Sequence, residues 1–175
     1  QFDVVKKQKL NEVHQSYKKY TKLIYQELSK AGRWQQTCQL ISKLNAHTAK
    51  PKLSDLKNFT LDYDEESFLT HLSYETDLFE LTAKSIEWQT EQDRAFIAGG
   101  WLEYLTASLL VAENIRDISL SVEIAKSTQR VHAKTHQEID VMAMQQQQLL
   151  IIECKTVNWK NATQASEAIY KLSAL

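Results

Sequence analysis

EIDVMAMQQQQLLIIECK, residues 138–155, is the stretch whose reading decides the fold. Two runs in it, Glu138-Ile139-Asp140-Val141 and Ile151-Ile152-Glu153-Cys154-Lys155, alternate apolar and polar residues with the period of a β-strand. The polar tract Gln145 to Gln148 between them is long enough to turn the chain. A hairpin centred on that tract sets Asp140 opposite Glu153 and Glu138 opposite Lys155. Cross-strand partners share a face, with Cβ atoms about 4.5–5.5 Å apart, and two carboxylates so placed repel. A divalent cation removes that objection, because hard cations such as Mg²⁺ take carboxylate oxygens. Lys155 shares the same face, two residues from Glu153. Paired acids with a lysine on a strand are the equipment for metal-assisted phosphodiester hydrolysis.

The same alternation admits a plainer reading. Ile139, Val141, Ile152 and Cys154 turn toward a core, and Glu138, Asp140, Glu153 and Lys155 turn away. A solvated polar face with an incidental Glu–Lys pair looks like this too, and on spacing alone the two readings weigh evenly. Leu149-Leu150-Ile151-Ile152 is apolar on both faces, which predicts a strand buried within a sheet. Burying Glu153 and Lys155 at its end is costly without partners. Glu103, just after Gly99-Gly100-Trp101-Leu102, is a further candidate acid. Without more context it reads as an ordinary exposed glutamate.

Outward from the hairpin, Ser119 to Ala125 reads as a strand. The polar excursion Lys126 to Thr135 separates it from the hairpin. A helix is expected from about Ala95 to Asn114, with Gly99-Gly100 near its first turns. Paired glycine costs helix stability, about 1 kcal/mol per residue relative to Ala, and a close backbone approach would explain it. Another helix is expected from about Ala162. The order helix, three strands, helix predicts an α/β core with a small mixed sheet.

Toward the N-terminus, Val13, Tyr17, Tyr20, Leu23, Ile24 and Leu28 keep helical spacing, which predicts a long helix from Asp3 to Lys30 ended by Gly32. A second helix is expected from Trp34 to Asn45, and Pro51 marks a break. Asp64 is the expected cap of a helix from Glu65 to Tyr74. Leu78–Leu81 and Ser85–Trp88 read as short strands joined by Thr82-Ala83-Lys84. Helices followed by such a hairpin suggest a winged-helix-like module. No basic recognition helix is evident, so a packing or dimerising role is favoured over DNA reading. The division is thus 1–90, a helical, winged-helix-like module, and 91–175, an α/β core.

The chain has 175 residues, 43% of them hydrophobic and 25% charged, the make-up of a globular protein. A formal charge of −1 excludes a polycation that coats nucleic acid, so any phosphate binding needs a local patch. Cys38 and Cys154 fit no zinc-ligand spacing and read as reduced thiols of a cytoplasmic protein. No apolar run is expected to cross a bilayer, and Gln1 to Leu10 is too polar for a signal peptide. A first residue other than Met, and an end inside an expected helix, fit a fragment or processed product.

Gly-Gly-Trp-Leu-Glu (99–103), Glu-Ile-Asp-Val (138–141) and Ile-Ile-Glu-Cys-Lys-Thr (151–156) together resemble the PD-(D/E)xK, restriction-endonuclease-like nucleases. Within that superfamily they look like the nuclease half of CRISPR-ancillary CARF-nuclease effectors activated by cyclic oligoadenylate. The resemblance covers about 65–175. It implies that Asp140 and Glu153 bind Mg²⁺ or Mn²⁺, with the carbonyl of Cys154 as a further ligand. Lys155 would activate or orient the attacking water, and Glu138 and Glu103 would be auxiliary acids. Lys126, Arg130, Lys134 and His136 are candidates to hold the substrate backbone, although a solvated loop is the modestly favoured reading of them. The implied partners are DNA and/or RNA and a second copy in a homodimer. Cyclic oligoadenylate would act only through a sensor domain absent from this chain. Two alternatives stay open: a non-catalytic nucleic-acid- or partner-binding module, and a restriction or repair nuclease outside CRISPR.

Overall fold

A computed structural model describes residues 2–10, 15–30, 40, 48–50, 53–56, 60–126 and 137–155. The elements, in chain order, are β1 (Phe2–Lys9), α1 (Gln15–Leu28), β2 (Thr48–Lys50), β3 (Leu53–Asp55), α2 (Tyr63–Glu75), β4 (Phe79–Leu81) and β5 (Ser85–Trp88). Then come α3 (Glu91–Ala95), a π-helical turn (Phe96–Gly100), α4 (Trp101–Ala112), β6 (Arg116–Lys126), β7 (Gln137–Gln145) and β8 (Gln148–Ile152). The chain divides into two compact units. One holds residues 1–17 and 102–155 together with 159–175, and the other holds 18–101 with 156–158.

The first unit is built on a four-stranded sheet in the order β1-β6-β7-β8. Its described pairings are all antiparallel, where a mixed sheet was expected. The strand β1 corrects the expected helix from Asp3: its backbone pairs along β6, from Phe2 opposite Lys126 to Lys9 opposite Ser119. Val4-Val5 favours a strand, and pairing overrides the helical preference of the lysines around it. The helix described here is α1, Gln15–Leu28. On β6 and β7, Leu120 lies opposite Val141 and Val122 opposite Ile139. Leu120, Val141 and Ala107 of α4 form a buried cluster, joined by Tyr104, Leu110, Ile152 and Cys154. Removing apolar surface from water contributes about 25 cal/mol per Å², and this cluster is what holds α4 to the sheet.

The β7–β8 turn is the two-residue type. Gln146 and Gln147 have φ of 47° and 67°, and Gln145 pairs with Gln148. Two positive φ values match the twist of a hairpin, at a cost for residues other than Gly and Asn. The register runs on through Met142–Ile151 to Val141–Ile152. Among the described residues β8 is an edge strand, and Leu149 is 53% exposed. The expectation of a strand buried on both faces is corrected accordingly: apolar composition alone does not distinguish an edge from a centre.

In the second unit the sheet order is β2-β3-β5-β4, again antiparallel. The expected strand pair is present as β4 and β5, with Phe79 and Trp88 ring centroids 5.2 Å apart, edge to face. Leu78, Ile86, Phe68, Leu69 and Leu72 are buried. The cap of α2 is Asp62 rather than Asp64. Asp62 Oδ1 accepts from the Glu65 N–H at 2.8 Å, and the Asp62 N–H donates to Glu65 Oε2 at 3.1 Å, a reciprocal capping box. Asp64 has no such glutamate three residues on. The expected helix over Trp34–Asn45 lies almost wholly outside the described residues, as does the one from Ala162.

The helix carrying Glu103 begins at Glu91, four residues before the expected start. Gly99 and Gly100 lie in its π-helical turn. Among the described residues a Cβ on Gly99 would meet nothing within 4 Å, and one on Gly100 would make ordinary contacts with Ala95 and Phe96. The expected close backbone approach is therefore not the explanation. The π turn itself inserts a residue into the helical ladder. Glu91–Ala112 is also long and apolar enough to cross a membrane, contrary to the sequence expectation. Within it Phe96, Ile97, Trp101 and Ala107 are buried, while Leu109 and Val111 are exposed.

Candidate active site

Three strands and one helix bring the site residues of the first unit together. Continuing the β7–β8 register one step beyond Val141–Ile152 sets Asp140 level with Glu153, as the two-residue turn requires. Glu153 follows the last residue of β8, so its place is held by a side-chain bond rather than by the ladder. The Cys154 N–H donates to Asp140 Oδ2 at 2.6 Å. A carboxylate accepting from a backbone N–H makes a short, charge-assisted bond. Lys155 reaches back over this junction. Its Nζ lies 2.5 Å from Glu153 Oε1 and 3.9 Å from Asp140 Oδ2. The side chains of Glu153 and Asp140 are 5% and 14% exposed, against 37% for Lys155. The two acids are thus largely withdrawn from water, and the ammonium is their counter-charge. Burial works to lower the Lys155 pKa, but the hydrogen bond its ammonium donates to Glu153 and the charge of Asp140 outweigh it and raise it on balance.

Glu103 enters from α4. Burial pushes its carboxyl up to about 7, and the negative charges of Asp140 and Glu138 add to the rise. Ser121 Oγ donates to Glu103 Oε2 at 3.3 Å and opposes it. The plain reading of Glu103 as an exposed glutamate is thereby corrected. Ser121 has φ of 46° in the middle of β6, between Leu120 opposite Val141 and Val122 opposite Ile139. That places it across from Asp140. No local pattern in the sequence marks Ser121, because its role depends on the pairing of β6 with β7 and on α4 lying above.

Glu138 is exposed and faces Glu123 across β6–β7. Glu123 in turn is bonded to Lys6 of β1 at 3.2 Å. The structure therefore brings Asp140, Glu153, Lys155 and Glu103 together and sets Glu138 at their margin. Cys154 packs its thiol toward the core, with Sγ 3.6 Å from Thr106 Oγ1. Burial pushes that thiol up to about 11, so it stays protonated and is no thiolate ligand at neutral pH. Of the basic candidates, Lys126 ends β6, while Arg130, Lys134 and His136 lie outside the described residues.

No group of three or more His, Cys, Asp and Glu side chains among the described residues is arranged to hold a metal ion. The donor chemistry nevertheless suits a divalent cation. Glu103 feels the negative charges of Asp140 and Glu138 and the ammonium of Lys155, and that ammonium is bonded to Glu153 and lies near Asp140. The rise of Glu103 toward neutrality comes first from burial, and the negative charges of Asp140 and Glu138 add to it.

Residues 90–175 match the family described as Card1-like, endonuclease domain. That range contains all three motifs that carry the resemblance to the CARF-nuclease effectors. Among solved structures, Can2 from Sulfobacillus thermosulfidooxidans, in complex with cyclic tetra-adenylate, aligns with a TM-score of 0.64 at 24% identity. The alignment covers 99% of this chain and 43% of that one. Protein VC1899 from Vibrio cholerae aligns with a TM-score of 0.68 at 23% identity, over 89% of this chain and 42% of that one. The chain thus spans less than half of either structure, and at these identities the likeness is one of fold. No curated protein matches the chain by sequence.

Proposed function

We propose that this chain, whose residues 90–175 match a Card1-like endonuclease domain, is a metal-dependent endonuclease that hydrolyses phosphodiester bonds of DNA and/or RNA in antiviral CRISPR defence. The observation that carries the reading is the convergence of Asp140 and Glu153, both mostly buried, on the ammonium of Lys155. Asp140, Glu153 and the carbonyl of Cys154 would hold Mg²⁺ or Mn²⁺. Bound there, the ion supplies a water of lowered pKa and stabilises charge on the phosphoryl oxygens.

The chain's own residues do the rest. Lys155, the most exposed of the three, is able to leave the acids and place its charge beside the scissile phosphate, where negative charge grows in the transition state. Glu103, with a carboxyl near neutrality, takes up or returns a proton at its carboxylate. The Cys154 N–H holds Asp140 in one orientation. Glu138 adds negative potential at the margin. Lys126, Arg130, Lys134 and His136 would hold the nucleic-acid backbone before β7. In this reading residues 1–90, apart from β1, which pairs with β6 in the first unit, contribute a winged-helix-like packing module, the protein works in the cytoplasm, and a cyclic oligoadenylate acts only through a separate sensor domain.

Glu153→Ala and Lys155→Ala are expected to abolish Mn²⁺-dependent plasmid nicking and single-stranded RNA cleavage while leaving the circular dichroism spectrum unchanged. Two variants that cut as fast as the parent would refute the reading. A second reading, a binding module with a degenerate nuclease core, is favoured by one observation: among the described residues no three ligands are grouped for a metal. Titration with Mn²⁺ separates the two. Binding that is lost in Asp140→Asn supports the enzyme, and no binding supports the module.

A further inference from the structure

Ser121 lies inside a paired strand with a backbone conformation that strands do not use. Among the described residues five positions other than glycine have a positive φ. Asn114 and Asp117 are of the residue types that tolerate it, and Gln146 and Gln147 make the β7–β8 turn. Ser121, at 46°, is neither. A side chain in the left-handed region crowds its own backbone, at a cost that persists only where the surrounding structure gains by it.

The strand register accounts for where the hydroxyl points. From Lys6 to Gln8 β1 advances two residues, while β6 beside it advances three, from Glu123 to Leu120. At this level β6 thus carries one extra residue, a β-bulge, and the left-handed φ marks that residue as Ser121. On its other side β6 keeps step with β7, with Leu120 opposite Val141 and Val122 opposite Ile139. Side chains alternate between the two faces of a regular strand. Leu120 packs with Ala107 of α4, so a regular residue at 121 would turn away from that helix. Ser121 instead donates to Glu103 of α4 at 3.3 Å. Bulges re-aim side chains beside active sites, and this one delivers a hydroxyl to the acid that α4 brings to the sheet.

We infer that Ser121 is a positioning residue for the reaction: its strained bulge aims the hydroxyl at Glu103 and holds that carboxylate in one orientation. The inference rests on the nuclease reading and adds to it a use for the strain in β6. A glutamate side chain that nothing holds samples several staggered rotamers. A donor on Oε2 selects one of them and leaves Oε1 to take up or return the proton. Ser121 acts through Glu103, so its loss slows the chemical step rather than weakening the hold on substrate.

Three substitutions on the whole chain separate the hydroxyl from the backbone. Ser121→Ala removes the donor and keeps the strain, Ser121→Gly removes both, and Ser121→Asn keeps a donor on a residue that tolerates the left-handed region. Melting of the metal-free protein reads the backbone. Ser121→Gly is expected to melt above Ser121→Ala by about 2–4 °C, the reverse of their order in a regular strand, where glycine is the weaker residue. Mn²⁺-dependent cleavage of a single-stranded RNA and of supercoiled plasmid reads the hydroxyl. Both Ser121→Ala and Ser121→Gly are expected to lose about tenfold or more in kcat with KM nearly unchanged, and Ser121→Asn to recover to within a few-fold of the parent. Activity then follows the donor while stability follows the backbone, a split that a merely structural residue does not give. In a Glu103→Ala background Ser121→Ala is expected to cost nothing further, because the group it acts through is gone. A glycine variant that melts below the alanine one, an asparagine variant no faster than alanine, or a further loss in the Glu103→Ala background overturns the inference. A parent that cuts neither substrate refutes the nuclease reading and this inference with it, whereas a parent that cuts no faster than its alanine and glycine variants refutes this inference alone.

Discussion

Replacing Glu103 with Gln should stabilise the metal-free protein above neutral pH and leave it nearly unchanged in mild acid. The folded protein holds the Glu103 proton more tightly than the unfolded chain, with the carboxyl raised from 4.5 to about 7, first by burial and then by Asp140. A carboxyl raised on folding contributes stability that is complete below pH 4.5 and is lost as pH rises through about 7. At about 1.4 kcal/mol per tenfold, the loss has a ceiling of about 3.4 kcal/mol. Glu103 is partly exposed, and solvent screening reduces the figure to about 2 kcal/mol. Gln is neutral at every pH, keeps the shape, and still offers an oxygen to Ser121. Melting followed by near-ultraviolet circular dichroism, with chelator present, is the measurement. For a chain of this size about 2 kcal/mol corresponds to about 4–8 °C. Glu103→Gln should therefore melt higher than the parent by that amount at pH 8, and the difference should shrink toward zero by pH 5. The same advantage should fall when Mn²⁺ is added, because the parent alone then regains a compensating charge. A variant that melts no higher than the parent at pH 8, or whose advantage is as large at pH 5, would refute the electrostatic account of the site.

Two further outcomes follow from the β7–β8 junction. Gln146→Asn with Gln147→Gly places in the turn the residues that tolerate its φ of 47° and 67°, and should raise stability by about 1 kcal/mol in urea unfolding; a loss would mean the turn is not of the two-residue kind. Asp140→Ala leaves the Cys154 N–H without its 2.6 Å acceptor and should cost about 1.5–3 kcal/mol, measured in the same way, whether or not metal is supplied.

The sequence by itself determined the β7–β8 hairpin, its register and the shared surface of Asp140, Glu153 and Lys155. The physical reason is local: a strand has period two, and a turn of even length carries that alternation unchanged from one arm to the other. Short-range signals likewise marked β4, β5 and the existence of α2. Only the tertiary structure decided the rest. Residues 2–9 are a strand because β6 offers them a partner more than a hundred residues away, and no window of sequence contains that partner. β8 is an edge rather than a centre among the described strands, a property of sheet order that composition does not encode. Glu103 and Ser121 became members of the site through the packing of α4 on β6 and β7. Ser121 looks ordinary in the chain, and Glu103 is marked there only by the resemblance its motif carries, because desolvation and the charges of distant residues, which set the state of Glu103, exist only once the fold has assembled them.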